Sequence, residues 1–142
     1  MNIRRSANAI WQGDLKEGSG TLSAPGGVLN QTPYSFNTRF GDAHGTNPEE
    51  LIAAAHAGCF TMATSFALQN AGFTATKLDT RADLTLAQDA SGFTITGIHL
   101  TMKAAVPGIT AEAFQEVAAG AKSGCPVSKV LSCPITLDAT LE

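Results

Sequence analysis

Hydrophobic and polar positions change period along the chain, and each change predicts an element. Residues 4–40 read as a β-meander. A short strand is expected over residues 7–11, a turn over 13–18, an extended run at 21–23 and a second turn at 25–27. Tyr34, Phe36, Thr38 and Phe40 then alternate with Ser35, Asn37 and Arg39, which predicts a further strand over residues 34–40. The period changes after Gly45. Asn47 can cap a helix, Pro48 suits the first helical position, and Glu49 and Glu50 place negative charge at the positive end of the helix dipole. Glu50, three residues beyond Asn47, could complete a capping box. From Leu51 to Thr76 there is no charged residue, and Gly72 is a natural stop. The pattern predicts a helix of about 24 residues, ~36 Å long. Nearly every face of it is apolar or small, so it is expected to be buried all round. One small domain cannot easily bury such a helix, and a homodimer sharing it would.

Beyond Gly72 the period returns to two. Residues 78–87 and 93–105 predict paired strands joined by a hairpin turn at 89–92. Thr110 should cap a helix over residues 111–122, with Phe114, Val117, Ala118 and Ala121 at helical spacing. Cys125-Pro126 then opens a short helix at 127–131, and residues 134–141 form a last strand. No strand–helix–strand alternation is evident. The expected class is therefore α+β: mainly antiparallel sheets packed around a long central helix, in a single domain over residues 1–142.

Composition narrows the partners. Of 142 residues, 44% are hydrophobic and 15% charged, which supports a folded core, and the net charge is −3. With no basic run, neither nucleic acid nor an anionic membrane is an expected partner. The long helix meets the length criterion for a membrane span. His56, Thr61, Ser65, Gln69 and Asn70 interrupt it, two glutamates abut its start, and no second span exists, so a soluble domain is expected. Arg4 and Arg5 are not followed by an apolar run of signal-peptide length, which predicts a cytoplasmic protein. Three cysteines, an odd number, do not make a structural disulfide framework.

Which residues could carry chemistry? Cys125 precedes the first proline of a helix and so occupies an N-cap, where free N–H groups and the helix dipole favour a thiolate. It could equally be a small cap. Cys59 lies mid-helix, gains nothing from the dipole, and by itself reads as a small core residue. His56, three residues back on the same face, is its nearest titratable neighbour. Arg39 could fork-bond a carboxylate and lower a thiol pKa, with Glu49 as its partner; the plain alternative is an exposed strand arginine and a dipole-complementing glutamate. Cys133 precedes a proline but ends a helix, and reads as structural. The histidines, at 44, 56 and 99, and the cysteines show no metal-ligand spacing, and no phosphate loop or nucleophile elbow is present.

The segments NPEELIAAAHAGCF and GCPVS resemble the OsmC/Ohr family of thiol peroxidases. With WQGDLKEGSGTLS, GVLNQTPYSFNTRF and AVPGI, the whole chain is similar to its OsmC branch. The resemblance implies reduction of organic hydroperoxides without metal or cofactor, in an intertwined homodimer with sites at the subunit interface. By motif position, Cys59 resembles the peroxidatic cysteine and Cys125 the resolving one, while Arg39 and Glu49 match the residues that assist the thiolate. The implied cycle runs through a Cys59 sulfenic acid and a Cys59–Cys125 disulfide, reset by an external dithiol, with lipoyl dithiols the reductant the family suggests. A role in oxidative or osmotic stress defence goes with it. Cys133 is outside the family pattern. Apolar neighbours such as Phe36, Phe60 and Met62 would favour an alkyl or lipid hydroperoxide.

Two other functions fit parts of the sequence. A non-catalytic binding protein on the same dimeric fold would have little reason to hold Cys59, Cys125, Arg39 and Glu49 together. A cysteine acyl-transfer enzyme would need an oriented Cys–His pair and an oxyanion hole, and only His56 is at hand. Helix geometry adds a constraint. Glu49 and Cys59, ten residues apart, stand about 15 Å and about 80° apart on a straight helix. Either the helix is broken, or Glu49 and Arg39 reach Cys59 from the partner subunit.

Overall fold

The computed structural model describes residues 1–142 and resolves them into two compact units, Met1–Leu51 and Ile52–Glu142. The first holds strands β1 (Asn8–Gln12), β2 (Ser19–Ser23) and β3 (Thr32–Tyr34), which pair antiparallel in that order. Trp11 and Tyr34 meet edge to face at 5.4 Å. Gly20 lies where a side-chain carbon would collide with both rings, so the aromatic pair requires glycine there.

The alternation over residues 34–40 does not make a strand. β3 ends at Tyr34, and Phe36–Phe40 forms one helical turn, α1. Ser35 is its N-cap. The Thr38 N–H donates to Ser35 Oγ at 3.2 Å and the Ser35 N–H donates to Thr38 Oγ1 at 2.8 Å, a reciprocal box that satisfies two otherwise free donors. Phe36 and Phe40, four apart, bring their rings to 4.9 Å. The local hydrogen bonds outweigh the weak preference for extension that the alternation implied.

The long helix α2 spans Pro48–Asn70 without a break. Asn47 caps it by accepting the Glu50 N–H at 2.8 Å and ties it back by donating to Thr38 O at 3.0 Å. At its far end Gly72 takes a φ of 90° and the Phe73 N–H bonds Leu68 O. Within the single chain it is not buried all round. His56, Phe60, Thr64 and Leu68 form a single buried line at four-residue spacing, whereas Met62 and Phe66 are 76% and 68% exposed.

In the second unit β4 (Lys77–Asp89) and β5 (Gly92–Ala105) form the expected hairpin. Its turn is fixed by the Ser91 N–H donating to Asp89 Oδ1 and by Gly92 at a φ of 116°. Helices α3 (Ala111–Gly124) and α4 (Pro126–Val130) follow, then β6 (Ile135–Leu141). β6 pairs parallel with β5, so β5–α3–α4–β6 is a strand–helix–strand crossover that the reading of the sequence did not anticipate. The class is α+β with mixed sheets, antiparallel apart from this pair. Ile98, Leu100, Met102 and Ala104 project from one face of β5 and join Phe60, Leu68, Phe114 and Ala118 in one buried cluster. At ~25 cal/mol per Å² of apolar surface, this cluster is the main source of the unit's stability. The Thr61 and Thr80 hydroxyls hydrogen-bond at 2.7 Å, linking α2 to β4.

Candidate active site

Cys125 stands where its sequence position predicts, at the N-cap of α4. Its sulfur accepts the Ser128 N–H at 3.4 Å and lies 3.4 Å from Ser128 Oγ, and Pro126 follows at the first helical position. The crossover therefore ends α3 and starts α4 on one cysteine, since the Cys125 N–H also bonds Ala121 O. Cys125 is fully buried. Cys59, at the middle of α2, is partly exposed and comes within hydrogen-bonding reach of Cys125 despite the long stretch of sequence between them. None of the three cysteines is disulfide-bonded.

The two thiols are not equivalent. Burial pushes Cys125 up, but the Ser128 hydroxyl, the Ser128 N–H, the Cys59 thiol and the Val127 N–H together more than offset this and hold it below the ordinary thiol value. Burial pushes Cys59 up as well. The Val127 N–H opposes that, and the neighbouring Cys125 adds to it, so Cys59 ends above the ordinary value. Within the pair Cys125 is the better thiolate, and Cys59 its hydrogen-bond donor.

Sequence reasoning missed Ser128. It related His56 to Cys59 rather than to Cys125. His56 is fully buried, and its Nε2 lies 2.8 Å from Ser128 Oγ, so a continuous chain runs His56–Ser128–Cys125. Burial lowers the His56 pKa and keeps the ring neutral. The available signal was the spacing in Gly124-Cys125-Pro126-Val127-Ser128. A residue three beyond an N-cap presents its N–H to the cap, and a hydroxyl there lies beside it.

In the first unit Arg39 and Glu49 form the predicted pair, on a helical turn rather than a strand. Arg39 Nη2 donates to Glu49 Oε1 at 2.6 Å, and Nε donates to both carboxylate oxygens at 3.0 and 3.2 Å. This forked geometry fixes the guanidinium plane. The Glu49 side chain is 14% exposed and that of Arg39 36%. Arg39 borders a cavity of about 280 Å³ walled by Trp11, Tyr34, Phe36, Phe40 and Pro48. Phe36 lines this apolar cavity. Phe60 belongs instead to the core and Met62 to the exposed face of α2. Cys133 is half-buried against the apolar cluster of the second unit.

Fold and site together describe an α+β protein with an unbonded, electrostatically differentiated cysteine pair. The model of the family described as OsmC-like protein matches residues 41–140, and the chain belongs to that family. Peroxiredoxin OsmC of Escherichia coli (strain K12) is 55% identical over 142 residues, covering 100% of this chain and 99% of that protein. The same identity and coverage hold for Peroxiredoxin OsmC of Shigella flexneri. The crystal structure of the organic hydroperoxide resistance protein OhrB of Bacillus subtilis is similar with a TM-score of 0.66 and 26% identity, covering 96% of this chain and 98% of that one. An OsmC-like protein of unknown function from Vibrio cholerae shares the fold at a TM-score of 0.79 and 14% identity, covering 97% and 99%.

Proposed function

We propose that the chain is a cysteine-based peroxidase that reduces organic hydroperoxides to alcohols, with Cys59 as peroxidatic and Cys125 as resolving residue. The observation that carries this reading is the apposition of Cys59 and Cys125, one partly exposed and one fully buried. Acidity and access point in opposite directions here, and access decides. A peroxide can reach Cys59 but not Cys125, whose thiolate-favouring surroundings suit attack on an oxidised neighbour. The Cys59 sulfur attacks the terminal peroxide oxygen, the O–O bond breaks, the alcohol leaves and a sulfenic acid remains. Cys125 condenses with it, releasing water, and an external dithiol, lipoyl or otherwise, reduces the disulfide by exchange. No cofactor or metal enters the cycle.

Cys59 lacks a cation of its own in this unit. Its activation is assigned to Arg39 and Glu49 of the partner subunit in a homodimer. α2 is unbroken, which removes a break in the helix as the route. The exposed Met62 and Phe66 give the helix an apolar face for a second copy to cover. The aromatic cavity beside Arg39 then receives the organic part of the hydroperoxide, and its apolar walls favour alkyl or lipid hydroperoxides over hydrogen peroxide. A cytoplasmic role in oxidative or osmotic stress defence, without nucleic-acid or membrane partners, is in keeping with this chemistry. The test is turnover of cumene hydroperoxide with a dithiol by the wild type and by Cys59→Ser. Activity in the wild type alone is expected. Equal turnover in both refutes the assignment.

A further inference from the structure

The peroxidase reading gives no task to two buried polar residues beside Cys125. His56 reaches across from α2 to Ser128 on α4, and its Nδ1 is buried with no hydrogen-bond partner. An orphaned ring nitrogen is costly in a core that could have held an apolar side chain. Ser128 is 9% exposed and is the one residue that touches both the imidazole and the sulfur. Within this unit the titratable groups facing Cys125 are Cys59 and, through Ser128, His56.

We propose that His56 and Ser128 are positioning residues that form a proton relay for Cys125 in the disulfide-forming step. The inference rests on the peroxidase reading of the cysteine pair and adds how its second step is driven. While Cys125 is protonated, its S–H donates to Ser128 Oγ and the Ser128 hydroxyl donates to His56 Nε2. As the Cys125 sulfur attacks the Cys59 sulfenic acid, each proton moves one place along the chain, from sulfur to Oγ and from Oγ to Nε2. The new S–S bond takes the electron pair of Cys125, and the S–O bond of Cys59 breaks with its pair leaving on hydroxide. That hydroxide takes up one proton and His56 releases one, so the net change is a thiol and a sulfenic acid to a disulfide and one water. A ring kept neutral by burial is free to accept the proton, and its charged form is too costly there to hold it.

The relay makes a prediction that a space-filling role for these residues does not. In protein carrying Cys59→Ser and Cys133→Ser, Cys125 is the sole thiol, and thiolate ultraviolet absorbance against pH reads its ionisation. Adding Ser128→Ala should raise that midpoint by about one pH unit. Ser128→Thr, which keeps a hydroxyl, should return it, and His56→Gln should raise it in the same direction. With all cysteines present, Ser128→Ala should slow closure of the Cys59–Cys125 disulfide about tenfold at neutral pH after one equivalent of cumene hydroperoxide. An unmoved midpoint in Ser128→Ala, or failure of Ser128→Thr to restore it, overturns the relay. A wild type that forms no Cys59–Cys125 disulfide overturns the peroxidase reading instead, and the midpoint still decides the protonation of Cys125.

Discussion

Mixing Cys59→Ser protein with Arg39→Ala protein should restore an activity that neither has alone. In the proposed mechanism each variant lacks one component of every site: the first has no peroxidatic sulfur, the second no cation to stabilise the thiolate. Helix geometry sets the expectation. Glu49 and Cys59 lie on the unbroken helix Pro48–Asn70, ten residues apart at ~1.5 Å rise each, so about 15 Å separates them along its axis. A hydrogen bond spans about 3 Å. On the proposed reading, Glu49, with Arg39 forked onto it at 2.6 Å, therefore serves the Cys59 of another chain. In a two-fold dimer of one variant with the other, one site combines both lesions and is dead, while the other receives an intact Cys59 from one chain and an intact Arg39 from its partner. Random association makes about half the dimers mixed, each with one live site of two, so activity should return to about a quarter of the wild-type value. The assay is cumene hydroperoxide turnover with a dithiol after the two variants are unfolded together and refolded. Recovery no greater than the sum of the variants refolded apart would refute delivery across an interface, and with it the dimeric site.

Three further outcomes follow from individual contacts. Cys125→Ser and Cys125→Ala should both leave the Cys59 sulfenic acid unresolved, so mass spectrometry after excess hydroperoxide should find Cys59 as the sulfinic acid; the alanine variant alone also loses the cap on α4 and about 1 kcal/mol of stability in denaturant titration. Phe60→Ala empties a fully buried position in the apolar cluster and should cost about 3–5 kcal/mol by the same titration. His56 has a lowered pKa in the folded chain, so the unfolded chain binds a proton that the native state refuses. Its contribution to stability is therefore complete above the ordinary histidine value of 6.5, and is lost as pH falls from there through the lowered native value. His56→Gln should flatten that part of the stability profile, and a profile identical to the wild type would contradict the burial argument.

Local chemistry was legible in the chain, and chemistry assembled by tertiary packing was not. The caps at Asn47, Thr110 and Cys125 each depend on a residue three positions away, and all three form as the sequence implies. The alternation over residues 34–40 misled because Phe36 and Phe40 satisfy both a strand face and a four-residue helical spacing; Ser35 and Thr38, reciprocal partners across three residues, settle it as a helical turn. Arg39 and Glu49 could be paired from charge alone, but their forked geometry depends on that turn. Cys59 shows the opposite case. Composition made it filler, the family resemblance made it the nucleophile, and only the fold shows that α4 delivers Cys125 to it. Ser128 escaped because its contact with His56 needs α2 and α4 side by side, which no spacing within one helix encodes.

The parallel pairing of β5 with β6 bears on when redox competence arises. Cys125 rides on the connection between these strands, so its position is set only once Ile135–Leu141 has zipped onto β5 beside the hairpin. Cys59 is laid down much earlier, on a helix that forms from local contacts. Non-local strand pairing is slow compared with helix formation, so the nascent chain carries both thiols well before they are neighbours. On the proposed reading, the fold thus acts as a timer: until β6 docks, Cys59 has no resolving partner held beside it, and the ability to close the disulfide arrives with that strand.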